Sequence, residues 1–160
     1  MSLVEVAVSM LIVGVGLTAG VQALGSFAAG SRAWQERSVA AHLAAQLMAE
    51  INALPFQEPG GAAGTIGRES GETALRTTFD DIDDWDGWNQ SPPVNSWGSP
   101  MSEYTGYCQQ VSVTFDTSLA TRTGLTFPAG AAKKITVTVL KDGKTLARVT
   151  TIRTLNNTDD

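Results

Sequence analysis

Met1-Ser2-Leu3-Val4-Glu5-Val6-Ala7-Val8-Ser9-Met10-Leu11-Ile12-Val13-Gly14 opens a stretch in which the 26 residues from Val6 to Ser31 carry no charged side chain. An apolar run of that length is a membrane-span candidate. As a helix it extends about 39 Å at roughly 1.5 Å per residue, enough to cross a bilayer. The one acid, Glu5, stands just before the run, where a carboxylate is expensive to bury without a partner. A secretory signal wants a basic start, a shorter apolar core and a small-residue cleavage site. This N-terminus is acidic and its uncharged run is longer, so a single-pass anchor fits better. A plain anchor, however, gives Glu5 no role.

Met1-Ser2-Leu3-Val4-Glu5-Val6 resembles the mature N-terminus of type IV pilins and type II secretion pseudopilins. The resemblance is strong over residues 1 to 30, looser to 55, and beyond that concerns layout. Asp80-Asp81-Ile82-Asp83-Asp84-Trp85-Asp86-Gly87-Trp88 also looks like segments of some prepilin-like proteins. The likeness implies a chain cut from a short leader by a prepilin peptidase, with Met1 as the processed, N-methylated residue. It implies a pairing of Glu5 with the N-terminal ammonium of a neighbouring subunit. Misregistered packing would strand both charges, and an uncompensated buried charge costs about 3–5 kcal/mol.

Residues 1 to about 54 read as one long helix. Its first half, 1–31, is apolar all round, as lipid or the core of a fibre requires. Gly14, Gly16 and Gly20 fall within it, the last two as G-x-x-x-G, which permits close helix approach. Each also weakens the helix by about 1 kcal/mol relative to alanine. The glycines are therefore either ordinary membrane-helix glycines or, as the family implies, a stretch that melts when a subunit leaves the membrane.

The second half, 32–54, is amphipathic. Val39, Leu43, Leu47, Ile51 and Leu54 recur at helical spacing beside Ala40, Ala44 and Met48. Ser38, His42, Gln46 and Glu50 form a polar strip, which makes the single histidine a solvated surface residue. Pro55 ends the helix, because the residue before proline is driven from the α region. Pro59-Gly60-Gly61 and Gly64 mark a loop.

The remainder, 55–160, reads as a β-rich head. Thr73–Phe79 is a weakly alternating strand candidate, and Tyr107–Phe115 a stronger one with Val111, Val113 and Phe115 on one face. Ile135, Val137 and Val139 alternate strictly, Lys141-Asp142-Gly143-Lys144 carries an Asp-Gly turn, and Thr145–Thr154 returns. The expected fold class is α+β and pilin-like: a long N-terminal helix packed on an antiparallel sheet of three to five strands, with a C-terminal hairpin over 133–154. Asn156–Asp160 reads as a polar tail.

Residues 80–104 form an acidic aromatic loop. Asp80, Asp81, Asp83, Asp84 and Asp86 repel one another unless solvated or neutralised. A solvated loop and a Ca²⁺ site on Asp81, Asp83, Asp84 and Asp86 are the two readings, since Ca²⁺ takes six to eight oxygens. EF-hand spacing is not met, because Trp85 occupies the fifth position. Trp85, Trp88 and Trp97 either fill a small core beneath the loop or make subunit contacts, where tryptophan is enriched. Adhesion to carbohydrate through exposed rings is a third reading.

The net charge of −5 and the scattered cations argue against nucleic-acid binding. Cys108 is the only cysteine, so it closes no internal disulfide and reads as a small core residue. One histidine, one cysteine and the absence of G-x-S-x-G, P-loop, CxxC or H-E-x-x-H patterns favour a structural protein over an enzyme. No cofactor is required on this reading. The expected function is a filament subunit that waits in the inner membrane and then polymerises with copies of itself through the pilus assembly machinery. Its destination is the cell surface, or the periplasm if the chain is a minor pseudopilin of a type II secretion system. A membrane-anchored binding module is the alternative of a different class.

Overall fold

A computed structural model describes residues 2–58, 65–68, 73, 75–124, 128 and 130–155. The chain divides into two compact units, Met1–Ser38 and Val39–Asp160. Helix α1, Leu3–Asn52, supplies all the secondary structure of the first unit and enters the second. No proline interrupts it until Pro55. It closes with the tighter bonds Ala53 N–H to Glu50 O and Leu54 N–H to Ile51 O. Arg153 Nη1 donates to the carbonyls of Asn52 and Leu54 at 2.9 and 2.8 Å, satisfying acceptors that a helix end leaves over.

In the second unit, the C-terminal part of α1 packs on a four-stranded antiparallel sheet, the expected α+β arrangement. The strands are β1 (Asn89–Gln90), β2 (Tyr107–Phe115), β3 (Ala132–Lys141) and β4 (Lys144–Thr154), paired in sequence order. A short helix α2, Ser118–Thr123, lies between β2 and β3. The expected helical stripe is the buried one: Ala40, Leu43, Ala44, Leu47, Met48 and Ile51 lose nearly all contact with solvent, and Val39 and Leu54 pack at its margin. Alanines at 40 and 44 keep that face narrow. Opposite them stand Val111, Val113, Ile135, Val137 and Val139, the inward residues of β2 and β3.

The β3–β4 hairpin turns through Asp142 and Gly143 with φ of 49° and 80°. Two positive values mark the type I′ turn that suits the right-handed twist of paired strands. Asp142 N–H also donates to Gly106 O at 3.0 Å. A Cβ on Gly106, whose φ is +86°, would meet Asp142 Oδ1 at 3.0 Å, so the approach of this turn requires glycine there. A bulge between Val139 and Leu140 leaves Leu146 as the extra residue, since Val139 faces Ala147 while Leu140 faces Thr145.

One expected strand is absent among the described residues. Over Thr73–Phe79 the chain instead makes a 3₁₀ turn at Arg76–Thr78. Arg76 and Phe79 are buried, whereas Leu75, Thr77 and Thr78 are exposed. Burial at a spacing of three suits a 3₁₀ turn, and the alternation of a strand would not produce it. The two-residue β1 was not foreseen. The loop over Pro59–Gly64 and the tail Asn156–Asp160 lie outside the described residues.

The helix–sheet contact carries the head's stability. Leu47→Ala is expected to cost about 2–5 kcal/mol, the range for a buried leucine, in urea unfolding of the full chain. His42→Ala, on the exposed strip, should stay within about 0.5 kcal/mol of wild type in the same assay.

Candidate functional site

Two regions carry the candidate residues, the start of α1 and the segment 80–104. Among the described residues of the first, the apolar side chains lie open: Leu3, Leu11, Leu17, Leu24 and Phe27 are all exposed, Phe27 at 82%. This part of α1 is long and apolar enough to cross a membrane. Met1 lies outside the described residues. Glu5 sits in the first turn of α1, where its Oε2 accepts the Ser2 N–H at 3.4 Å. A carboxylate there also complements the helix dipole. The helix is continuous through Gly14, Gly16 and Gly20, and a Cβ on any of the three would meet nothing within 4 Å. No described residue makes use of the close approach that these glycines permit.

The acidic segment is not the solvated loop expected of it. Asp81, Asp83 and Asp84 are buried, Asp84 completely, while Asp80 is exposed and Asp86 half-buried. Backbone N–H groups and one cation hold this charge. Asp81 Oδ1 accepts the N–H groups of Asp83 and Asp84 at 2.6 and 3.3 Å. Asp84 Oδ2 reaches back to the N–H groups of Asp80 and Asp81 at 2.9 and 3.3 Å. This reciprocal pair brackets the 3₁₀ turn Asp83–Trp85 much as a capping box brackets a helix start. Asp83 Oδ2 meets Lys133 Nζ at 2.6 Å, and the ammonium also donates to Phe56 O and lies 4.1 Å from the Phe56 ring centroid. Asp86 Oδ1 accepts the Val113 N–H at 2.9 Å.

The calcium reading gains no support from these bonds. Asp81 and Asp84 bracket one turn, Asp83 meets Lys133 and Asp86 meets the Val113 N–H. Among the described residues, no group of three or more His, Cys, Asp or Glu side chains is arranged to hold a metal ion. The segment acts instead as a cover for the sheet. Just before β1 begins, Trp88 O takes the Val111 N–H at 2.9 Å and Asp86 takes that of Val113, so this stretch of the β2 edge is satisfied without a further strand.

The three tryptophans divide. Trp85 and Trp88 are core, with Trp85 edge-on to Phe79 at 5.0 Å and to Trp88 at 5.3 Å. Trp97 is 83% exposed. Cys108, on β2, is half-buried on the face away from the core, with Sγ 3.0 Å from Asn89 Oδ1. Burial pushes its thiol up.

Two buried cations were not singled out from the sequence. Lys133, 2% exposed, stands in phase with Ile135, Val137 and Val139, so the period of β3 marks it as inward-facing. Arg76 carries no such signal. Its Nε donates to Glu50 Oε1 at 2.7 Å, its Nη2 to Glu50 Oε2 and its Nη1 to Val94 O. One guanidinium thus ties α1 to the loop that bears Trp97, and Glu50 leaves the solvated strip to meet it. Compared with family models, with curated proteins and with solved structures, the chain matches none.

Asp83→Asn or Lys133→Met alone strands the remaining charge and is expected to cost about 3–5 kcal/mol in thermal unfolding of the full chain. The double change Asp83→Leu/Lys133→Met should cost less than the sum of the singles. Burial is the first cause that raises both the Asp81 and Asp83 carboxyls above the ordinary 3.8, against the Asp83 and Asp84 N–H groups in one case and Lys133 in the other. Asp81 therefore binds a proton more tightly folded than unfolded, and its contribution to stability grows as pH falls toward 3.8 and is lost as pH climbs through the raised folded value. The melting temperature should gain from this term as pH is lowered, and Asp81→Asn should flatten the gain.

Proposed function

We propose that the chain is a structural subunit of a type IV pilus-like filament. The exposed first half of α1 carries this reading. Leucine, valine and phenylalanine side chains from Leu3 to Phe27 have no cover among the described residues, and contiguous apolar surface of that extent marks an interaction with lipid or protein. In the proposed cycle the helix rests in the inner membrane after a prepilin peptidase has removed the leader. The assembly machinery then transfers it into a bundle of sister helices. Burial of its surface supplies cohesion at about 25 cal/mol per Å². Glu5, the only charge among the first 31 residues, supplies register by meeting the N-terminal ammonium of a neighbour. Gly14, Gly16 and Gly20 give the helix room to be approached closely and a place to yield during extraction.

The same uncovered helix supports a second reading, a membrane-anchored module or minor pseudopilin that never forms long fibres. Negative-stain microscopy of sheared surface material separates the two. Fibres that contain the chain are expected, whereas a strictly membrane-bound monomer would overturn the filament. Glu5→Gln and Glu5→Ala should lower fibre yield and leave unfolding of the head unchanged. Wild-type yield from both would remove Glu5 from assembly.

A further inference from the structure

The loop Pro93–Met101 is held at almost every turn. Asn95 Oδ1 accepts the N–H groups of Trp97 and Ser99 at 3.0 and 2.9 Å. Asn95 N–H donates to Ser99 O, Gly98 N–H to Asn95 O and Met101 N–H to Pro93 O, all within 2.9 Å. Val94 and Pro100 form a bridge across its base, and Arg76 anchors Val94 from below. Gly98, with φ of +76°, makes the turn that a side chain would strain. This ordered loop carries an indole that is 83% exposed. Fixing a side chain's setting before binding lowers the entropy cost of recognition.

A cleft of about 260 Å³ lies beside that ring, bounded also by Thr77, Trp88, Gln90 and Val94. Arg76 lines it too but is committed to Glu50 and Val94. Thr77 and Gln90 therefore supply the hydrogen-bonding groups, a hydroxyl and an amide, and among the described residues neither side chain bonds another group of the protein. Asn95, Ser96, Gly98 and Ser99 flank Trp97 on its loop, and Leu75, 63% exposed, is the other open apolar side chain that lines the cleft. Protein interfaces place their aromatic anchors inside a larger apolar core than one indole and one leucine. A flat ring edged by hydroxyl and amide groups suits a ligand with one C–H face and a rim of hydroxyls.

We infer that the Trp97 cleft binds a sugar ring, specifically a β-linked gluco-configured pyranose. All ring substituents of that sugar are equatorial, so its axial hydrogens form an apolar face that stacks on the indole while its hydroxyls reach Gln90 and Thr77. The inference goes beyond the filament reading and does not depend on it.

Cellotetraose is the probe, and the full chain is held in lipid nanodiscs, because sugar-headed detergents would compete. Saturation-transfer NMR observed on the sugar is expected to give a saturable signal with Kd of about 1 mM. Trp97→Ala should weaken binding at least about tenfold, Gln90→Ala about threefold, and Trp97→Tyr should retain most of it. Trp97 is exposed, so the variants should keep the wild-type melting temperature, and this is measured alongside. No saturation transfer at about 20 mM probe, or equal binding by Trp97→Ala, overturns the inference.

Discussion

Apolar side chains along the first half of α1 are covered by nothing among the described residues and need a partner to take them out of water. Each fully exposed leucine or phenylalanine forgoes about 1.5–3 kcal/mol of burial, and the helix presents many of them. A segment so built has two solvents open to it, a bilayer and a bundle of like helices, and their apolar character is nearly the same. Cohesion alone therefore cannot choose between them. In the proposed filament the choice falls to the polar exceptions, chiefly Glu5, whose charge is costly in either setting until an ammonium meets it.

The head answers the opposite problem, that of polar groups taken out of water. Lys133–Asp83 and Arg76–Glu50 are well-bonded pairs, yet buried ion pairs are weak sources of net stability because desolvation consumes most of the attraction. Their worth lies in position. Lys133 joins β3 to the acidic turn and to Phe56, just beyond the proline that follows α1. Arg76 joins α1 to the 3₁₀ turn and to Val94. Segments with little regular structure are fixed to the core at these two points, and an apolar substitute would leave their placement less specified.

Periodicity made the regular elements legible. The stripe from Val39 to Leu54, the alternation of Ile135, Val137 and Val139 and the Asp142-Gly143 turn each leave a repeating mark on the sequence, and the structure follows each. The irregular segment left no such mark. Five aspartates between 80 and 86 read as charge that needs water or calcium, because composition does not show that backbone N–H groups and Lys133 would serve instead. Lys133 comes from a strand 50 positions away. Its inward phase was readable, but its partner was not. Nor does composition separate Trp85 and Trp88, which fill the core, from Trp97, which does not: that difference follows from the Asn95 turn and the path it imposes.

The sheet's two edges are finished differently, and the contrast bears on how copies could meet. The edge of β2 is closed by Trp88 O and the Asp86 carboxylate. The outer edge of β4 pairs with no strand among the described residues. An open edge of 11 residues invites pairing with another chain. β4, however, carries Lys144, Arg148 and Arg153 and no acid, so two such edges brought together would align like charges. Basic residues on an edge are a common guard against this association. Edge-to-edge pairing of two heads through β4 is thereby disfavoured, while α1 keeps its apolar half exposed. In a filament of the proposed type that division confines polymerisation to the helices, where Glu5 can set the register.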